Sequence, residues 1–315
     1  MLIAGPNLTI DRTSAIPELR PGEVLRTGTV AVTPGGKGLN VARAARALGA
    51  EAVLVAFVPG HTGRAAAALI AEDGVTLAAV PVDGEIRSTV VIVEPGGRAT
   101  VIDEPGPPLA EGDWAAFEAL VDAALPDHGV LVCSGSLPSA SPDDGYALLA
   151  RRAREAGRLT VVDAGGAVLG AALAARPDIV TPNLAEAEAL LHGRAGESVE
   201  ASPDARPRAE AAAAELVRAG AGAAVVTAAA AGAAVAAAGE TTWIAAPRVA
   251  AVRNPIGAGD VLAAALAAAL EEGDDVLAAA RRGVAAAAAS VESPRAGDLD
   301  PARMAELLGL VSPTR

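Results

Sequence analysis

Lysine is almost missing from this chain. Lys37 is the one lysine in 315 residues, although lysine and arginine together number 25. The single flexible ammonium lies inside Pro34-Gly35-Gly36-Lys37-Gly38-Leu39-Asn40, a glycine-rich turn that leads into a helical stretch. Positive charge is scarce overall: the net charge is −13, which excludes nucleic acid or an anionic membrane surface as the main partner. A small anionic substrate stays open, because it needs only a local positive site. Cys133 stands alone, so no internal disulfide can form, and His61, His128 and His192 are too scattered for a metal cluster. No basic, apolar leader with a small-residue cleavage site opens the sequence, so the cytoplasm is the expected compartment. Charge is also absent from Ala219 to Gly239, long enough to cross a bilayer if helical. Alanine is only weakly apolar, however, and four glycines interrupt the run, so Val225-Val226-Thr227 and Ala233–Val235 predict two buried strands around a turn. Aromatic residues make up only 2%. With alanine this abundant, apolar periodicity is blurred throughout.

What is present is alternation. Ala52–Phe57, Val130–Cys133, Leu159–Asp163, Ile179–Thr181 and Ala224–Thr227 are short apolar runs typical of strands buried on both faces. Between them the sequence predicts helices over Asn40–Leu48, Gly63–Glu72, Asp113–Ala124, Asp143–Ala156, Leu184–Leu191 and Arg208–Ala219. This implies an α/β fold, with a mostly parallel central sheet flanked by helices. Glu23–Thr33 and Ser88–Ile102 instead alternate polar with β-branched residues, and the second carries the turn signal Glu94-Pro95-Gly96-Gly97. They predict a small antiparallel sheet with one wet face, projecting from the main body. After Asp260 the chain reads as helical to its end. No Ser- or Pro-rich linker divides it, so a single domain over 1–315 is expected, with a discontinuous β lid from about 11–33 and 86–103.

Asn254-Pro255-Ile256-Gly257-Ala258-Gly259-Asp260 precedes the apolar helical run Val261–Leu270. Here Pro255 and the glycines make a tight turn, and the amides of 257–260 would point outward as a cradle for negative charge. Asp260 has two readings. It is either an N-cap or a general base taking a proton from a hydroxyl that attacks a phosphorus held by the same amides. Neither glycine turn is a Walker A motif: Ala31 stands where its first glycine is needed, and Gly38 where Ser or Thr must follow the lysine. Neither fits the dinucleotide G-x-G-x-x-G either.

The ordered pair of Gly35-Gly36-Lys37-Gly38-Leu39-Asn40-Val41-Ala42 and Gly257-Ala258-Gly259-Asp260 resembles the two signatures of the ribokinase-like PfkB carbohydrate kinases. Further matches are Asp11, Glu104-Pro105-Gly106-Pro107, Ser134-Gly135-Ser136-Leu137-Pro138 and Pro182-Asn183-Leu184-Ala185-Glu186. Asn254-Pro255 and the Glu-Pro-Gly-Pro block are similar to the branch that phosphorylates hexose phosphates. The resemblance implies ATP as co-substrate, Mg2+, a ribokinase-like fold with a strand-built lid, and a homodimer formed through lids. It makes Asp260 the catalytic base and the amides of Gly257, Ala258 and Gly259 the anion hole. Sugar hydroxyls would meet Asp11, Asn40 and the backbone at Gly35 and Gly36, with Ser136 also on the substrate side. Lys37 and Arg87 would meet the substrate's own phosphate, although Arg87 by itself reads as a solvated surface arginine. Thr227, Gly232, Gly257 and Gly259 would face the nucleotide. Asn183 and Glu186 would order Mg2+ through water, or else simply form a helix-capping box.

The implied reaction is ATP-dependent phosphorylation of a ketohexose phosphate, most simply fructose 1-phosphate, with tagatose 6-phosphate and fructose 6-phosphate as alternatives. A sugar-phosphate-binding regulator on the same fold is the alternative of a different class. Thr181 stands where relatives often have a nucleotide-binding lysine, and Ala229 and Ala265 replace glycines.

Overall fold

The computed structural model describes residues 1–95, 98–193 and 202–314. The Gly96-Gly97 part of the predicted ribbon turn lies outside them. Among the described residues the main sheet has ten strands and the second sheet four. The main sheet starts with β1 (Leu2–Ala4), and the chain then leaves it for β2 (Thr9–Ala15) and β3 (Val30–Gly35) of the small sheet. Helix α1 (Lys37–Ala47) returns it to β4 (Val53–Pro59), α2 (Gly60–Glu72) and β5 (Thr76–Val82). The small sheet is completed by β6 (Ser88–Val93) and β7 (Ala99–Asp103).

After α3 (Asp113–Ala124) the chain runs through β8 (Val130–Ser134), α4 (Gly145–Glu155), β9 (Leu159–Asp163), α5 (Gly166–Ala174), β10 (Ile179–Val180), α6 (Leu184–His192) and α7 (Ala205–Arg218) to β11 (Ala223–Thr227). Then β12 (Gly232–Ala237) and β13 (Glu240–Ala245) form antiparallel additions, followed by α8 (Ala258–Glu271), α9 (Val276–Ser290), α10 (Pro301–Leu308) and a short β14 (Pro313–Thr314).

The order β14-β13-β12-β11-β10-β9-β8-β1-β4-β5 is parallel from β11 to β5. From β1 the chain builds outward to β4 and β5 on one side, then resumes at β8 and builds outward on the other. The β1/β8 boundary is therefore the topological switch point, where the crevice beyond the carboxyl ends of the strands takes ligands in open α/β sheets.

Neighbouring strand residues point to opposite faces, so Leu131 and Val162 pack in one layer while Val132 and Val161 pack in the other. Every aromatic residue of the chain lies in the first of these layers, where Phe57 and Trp114 each approach Phe117 with ring centroids 5.0 and 5.2 Å apart. The opposite layer is filled by Ala, Val and Leu, above all from α8, which is buried without a break from Asp260 to Ala269. A helix so placed between the sheet and α9 must be apolar all round, and alanine lets the backbones approach closely.

The Ala219–Gly239 run forms β11 and β12, and among the described residues no helix is long and apolar enough to cross a membrane. In the small sheet the order is β3-β2-β6-β7, with β2 parallel to β6 and the outer pairs antiparallel. The expected strand over Glu23–Thr33 is shorter at its start. Residues 23–29 form no strand, and β2, whose Thr-Ile-Asp-Arg-Thr-Ser-Ala sequence has no regular apolar alternation, supplies the partner.

Candidate active site

A cavity of about 360 Å³ opens at the switch point. Asn7 follows β1, Ser134 to Ser136 end and follow β8, and Ala164 and Gly165 follow β9, so three adjacent strand ends form its floor. Across the β1/β8 boundary Asn7 Nδ2 donates to Ser136 Oγ at 2.9 Å. Lys37, Arg87 and Glu186 complete the wall.

Lys37 is the first residue of α1, and Gly36 caps that helix with φ of 115°, a left-handed conformation that an L side chain resists. The turn also has to pass close to the small sheet: a Cβ on Gly35 would come within 2.2 Å of Asp11 Oδ2. The glycines therefore let Asp11, on β2, reach the start of α1. The Lys37 ammonium lies 3.3 Å from Glu186 Oε1 and 3.6 Å from Asp163 Oδ2. Asp163, and then Glu186 and Asp260, raise its pKa against the opposing effect of burial, so it stays charged.

Asp260 is not an N-cap. Gly257 occupies that position, and Asp260 is the third residue of α8, 4% exposed, accepting a hydrogen bond from Asn40 Nδ2 at 2.8 Å. Its pKa is pushed up to about 8, chiefly by burial and then by the negative charge of Asp163, while Lys37 and the Asn40 amide pull it down. Val261 N is the first in the helix to bond back to its cap, at Gly257 O, so the preceding amides are those a helix start leaves without helical partners. Gly259 has open space where a Cβ would point, and Ala258 N donates to the Pro255 carbonyl at 3.4 Å.

The remaining candidates fall around this centre. Asp11 Oδ1 is buried and has no hydrogen-bond partner among the described residues, and burial raises its pKa although the Thr89 and Thr9 hydroxyls and the Arg87 and Arg43 charges oppose this. Arg87 is no solvated surface arginine: its side chain is 14% exposed, one nitrogen pairs with Asp103 at 2.6 Å, and its buried Nε has no partner. Thr227 sits at the end of β11, bridged to Asn183, with Gly232 opening β12 beyond it. Asn183 and Glu186 do form a capping box: Asn183 Oδ1 accepts from Glu186 N at 2.8 Å, and Glu186 Oε2 accepts from Asn183 N at 3.0 Å. The capping role does not use up the carboxylate, since each oxygen has a second lone pair and Glu186 faces the cavity.

Two residues, Asn7 and Asp163, have no place in the predicted site, and Ser134 enters only as part of a matched block. Asn7 gives no local signal. Asp163 and Ser134, which donates to it at 3.3 Å, end adjacent strands, and a carboxylate closing an apolar run at a strand's carboxyl end was the available clue. Asp163 is buried, and burial raises its pKa against the pull of Lys37. Thr181 is buried too, and its hydroxyl has no partner.

A mostly parallel sheet with its cavity at the switch point, a buried carboxylate at an amide-lined helix start and a lysine-bearing glycine turn together define a phosphoryl-transfer enzyme class. Residues 7–303 match the family described as pfkB family carbohydrate kinase, and the chain belongs to that family, within its hexose-phosphate branch. It is 31% identical over 263 residues to a 1-phosphofructokinase of Rhodobacter capsulatus, covering 82% of this chain and 80% of that protein. The crystal structure of phosphofructokinase-2 from Escherichia coli in complex with potassium superposes with a TM-score of 0.86 at 27% identity, covering 98% of both chains. Ribokinase of Arabidopsis thaliana complexed with ribose and ATP shares the fold, with a TM-score of 0.75 at 23% identity over 98% of each chain.

Proposed function

We propose that this kinase transfers the γ-phosphoryl group of ATP to a ketohexose phosphate, most simply converting fructose 1-phosphate to fructose 1,6-bisphosphate. The observation that carries the reading is Asp260, a buried carboxylate at the amide-lined start of α8 with Asn40 holding it from below. The substrate hydroxyl attacks the γ-phosphorus and gives its proton to Asp260. The new O–P bond forms as the bond to the ADP oxygen breaks, and the amides of Gly257, Ala258 and Gly259 meet the charge on the transferring group. Asp11 and Asn40, with the Gly35-Gly36 backbone and Ser136, hold the sugar. The partnerless Asp11 Oδ1 suits a hydroxyl donor.

Arg87 and Lys37 take the resident phosphate. Both line the cavity, and a guanidinium and an ammonium on one cavity wall suit a dianion. Thr227, Gly232, Gly257 and Gly259 lie on the nucleotide side. Glu186 and Asn183 would hold Mg2+ through water. When bound, the ion neutralises phosphate charge. The small sheet serves as a lid, since Arg87 at its border lines the cavity and Asp11 on β2 packs against the Gly35 turn that leads into α1.

Similarity to a 1-phosphofructokinase favours fructose 1-phosphate, while tagatose 6-phosphate and fructose 6-phosphate are the alternative acceptors. The buried, partnerless Thr181 favours a second reading, a catalytically weak sugar-phosphate-binding regulator. A coupled assay with ATP and a panel of sugar phosphates separates these. Turnover of one ketohexose phosphate well above the rest is expected, and binding without turnover would favour the regulator.

A further inference from the structure

Arg43 lies one turn beyond Asn40 on α1, 6% exposed, and none of the roles above uses it. Its guanidinium has three partners. Nε and Nη2 donate to Asp73 Oδ2 at 3.0 and 2.8 Å, Nη2 also donates to the Pro34 carbonyl at 2.7 Å, and Nη1 donates to Asn40 Oδ1 at 3.4 Å. We propose that Arg43 is a positioning residue that fixes the Asn40 carboxamide with its N–H groups toward Asp260 while anchoring the start of the sugar-binding turn. The inference rests on reading Asp260 as the base.

A carboxamide can face Asp260 with either its NH2 or its oxygen, and nothing in its shape decides between them. Guanidinium nitrogens only donate, so Arg43 Nη1 claims Oδ1 and leaves Nδ2 for Asp260, in keeping with the 2.8 Å contact. The rotated amide would set N–H against N–H on one side and oxygen against carboxylate oxygen on the other. Without Arg43 that rotation costs less, and once rotated the amide accepts a bond from the protonated acid, favouring the form that cannot act as a base.

The charged groups facing Asp260 are Lys37 from α1, Asp163 from β9 and Glu186 from α6. Those facing Arg43 are Asp11 from β2, Asp73 after α2, and Arg295 and Asp298 from the loop before α10. Asp73 also accepts from Arg295 at 2.6 Å, so it keeps a cationic partner when Arg43 is changed.

The test is the pH dependence of kcat/KM, with ATP and the sugar phosphate turned over fastest, for wild type, Arg43→Met, Arg43→Lys, Asn40→Ala, the Arg43→Met/Asn40→Ala double variant and Asp260→Asn. Arg43→Met should move the acid limb up by about one pH unit, a loss of about tenfold on the acid side that shrinks above the limb. Arg43→Lys should show the same shift, because one ammonium cannot serve Asp73, Pro34 and Asn40 as a planar fork does. It carries the test should Arg43→Met fail to fold. Adding Arg43→Met to Asn40→Ala should move the limb no further, since both act through one amide.

A pH-independent loss with an unmoved limb, restoration of the wild-type limb by lysine, or additive shifts in the double variant would overturn the inference. A limb lost in Asp260→Asn but unmoved by the Arg43 variants would overturn this inference alone. A limb that survives in Asp260→Asn would overturn the base assignment and this inference with it.

Discussion

At Asp260, burial and the Asp163 charge hold a proton on, while Lys37 and Asn40 work to remove it. Because a base must be ionised, kcat/KM should fall as pH drops through the Asp260 pKa. The acid limb should therefore lie near pH 8 in the free enzyme, far above the range of an exposed aspartate. A pH–rate profile with its limb near 4 would refute this.

The same shift bears on stability. The folded pKa lies above the unfolded one, so the native state holds the extra proton, and stability falls as pH rises from about 4 until the folded pKa is passed. Asp260→Asn removes the ionisation and keeps an acceptor for Asn40. It should lower kcat by about 10²–10⁴-fold and at the same time raise Tm at neutral pH. Thermal melts at pH 4 and pH 8 check the sign, since the gain should vanish at the lower value.

Arg87→Ala and Lys37→Met should both raise KM for the sugar phosphate more than for ATP. Lys37→Met should in addition move the acid limb upward, because it leaves Asp163 and Glu186 without their shared cation. Selective weakening of ATP would reverse the assigned orientation of the site. The Lys37 and Asp260 turns were readable because each is a local run of residues with a backbone reason for its glycines. Asn7 and Asp163 join them only through strand order, which no local pattern carries.

In the main sheet, the strands read directly from the sequence are buried on both sides. Runs such as Leu159–Asp163 and Val130–Cys133 have no competing pattern, and α3, which buries one face only, matches its predicted bounds. Elements that gave no signal have physical reasons. β5 is an edge strand containing Pro81, tolerable there because an edge residue has no neighbour on one side to bond. α5 begins Gly166-Ala167 and contains Gly170, which lowers its helical propensity.

The loop between β11 and β12 shows the same trade locally. Ala229 takes φ of 46°, whereas Gly232 has φ of 134° and a Cβ there would meet Ile244 O at 2.1 Å. Relief of left-handed strain outweighs the entropy glycine adds to the unfolded chain by a small margin. Ala229→Gly should therefore stabilise by roughly 0.5 kcal/mol. Gly232→Ala should destabilise by about 2 kcal/mol or more, because carbonyl and methyl cannot share that space. Urea melts of the two variants should move in opposite directions, and movement in the same direction would refute the account.

At the scale of the whole molecule, the small sheet has two unlike faces. Cross-strand register sets Thr33, Asp11, Thr89 and Asp103 in one row, on the face that holds Asp11. The next rows, Val32-Arg12-Val90-Ile102 and Val30-Ser14-Ile92-Thr100, therefore lie on the opposite face. There Val30, Val32 and Ile102 are 44%, 41% and 55% exposed, while of the exposed large apolar residues Val101, at 52%, lies on the Asp11 face. A four-stranded sheet with an apolar face in water lacks the burial that would stabilise it, and a second copy of the same face would supply it. Lid-to-lid dimerisation is thus the expected assembly, although the Escherichia coli phosphofructokinase-2 has also been solved in a tetrameric inhibited form. Light scattering at micromolar concentration should give twice the 30.8 kDa protomer mass. Val32→Asp with Ile102→Asp should restore the protomer, because carboxylates cannot be desolvated unpaired at such a contact. KM for the sugar phosphate should rise in that variant, since Asp11 and Arg87 depend on the sheet for their placement. A wild-type protein that stays at 30.8 kDa, or a double variant that still dimerises, would mean that this face serves something other than self-association.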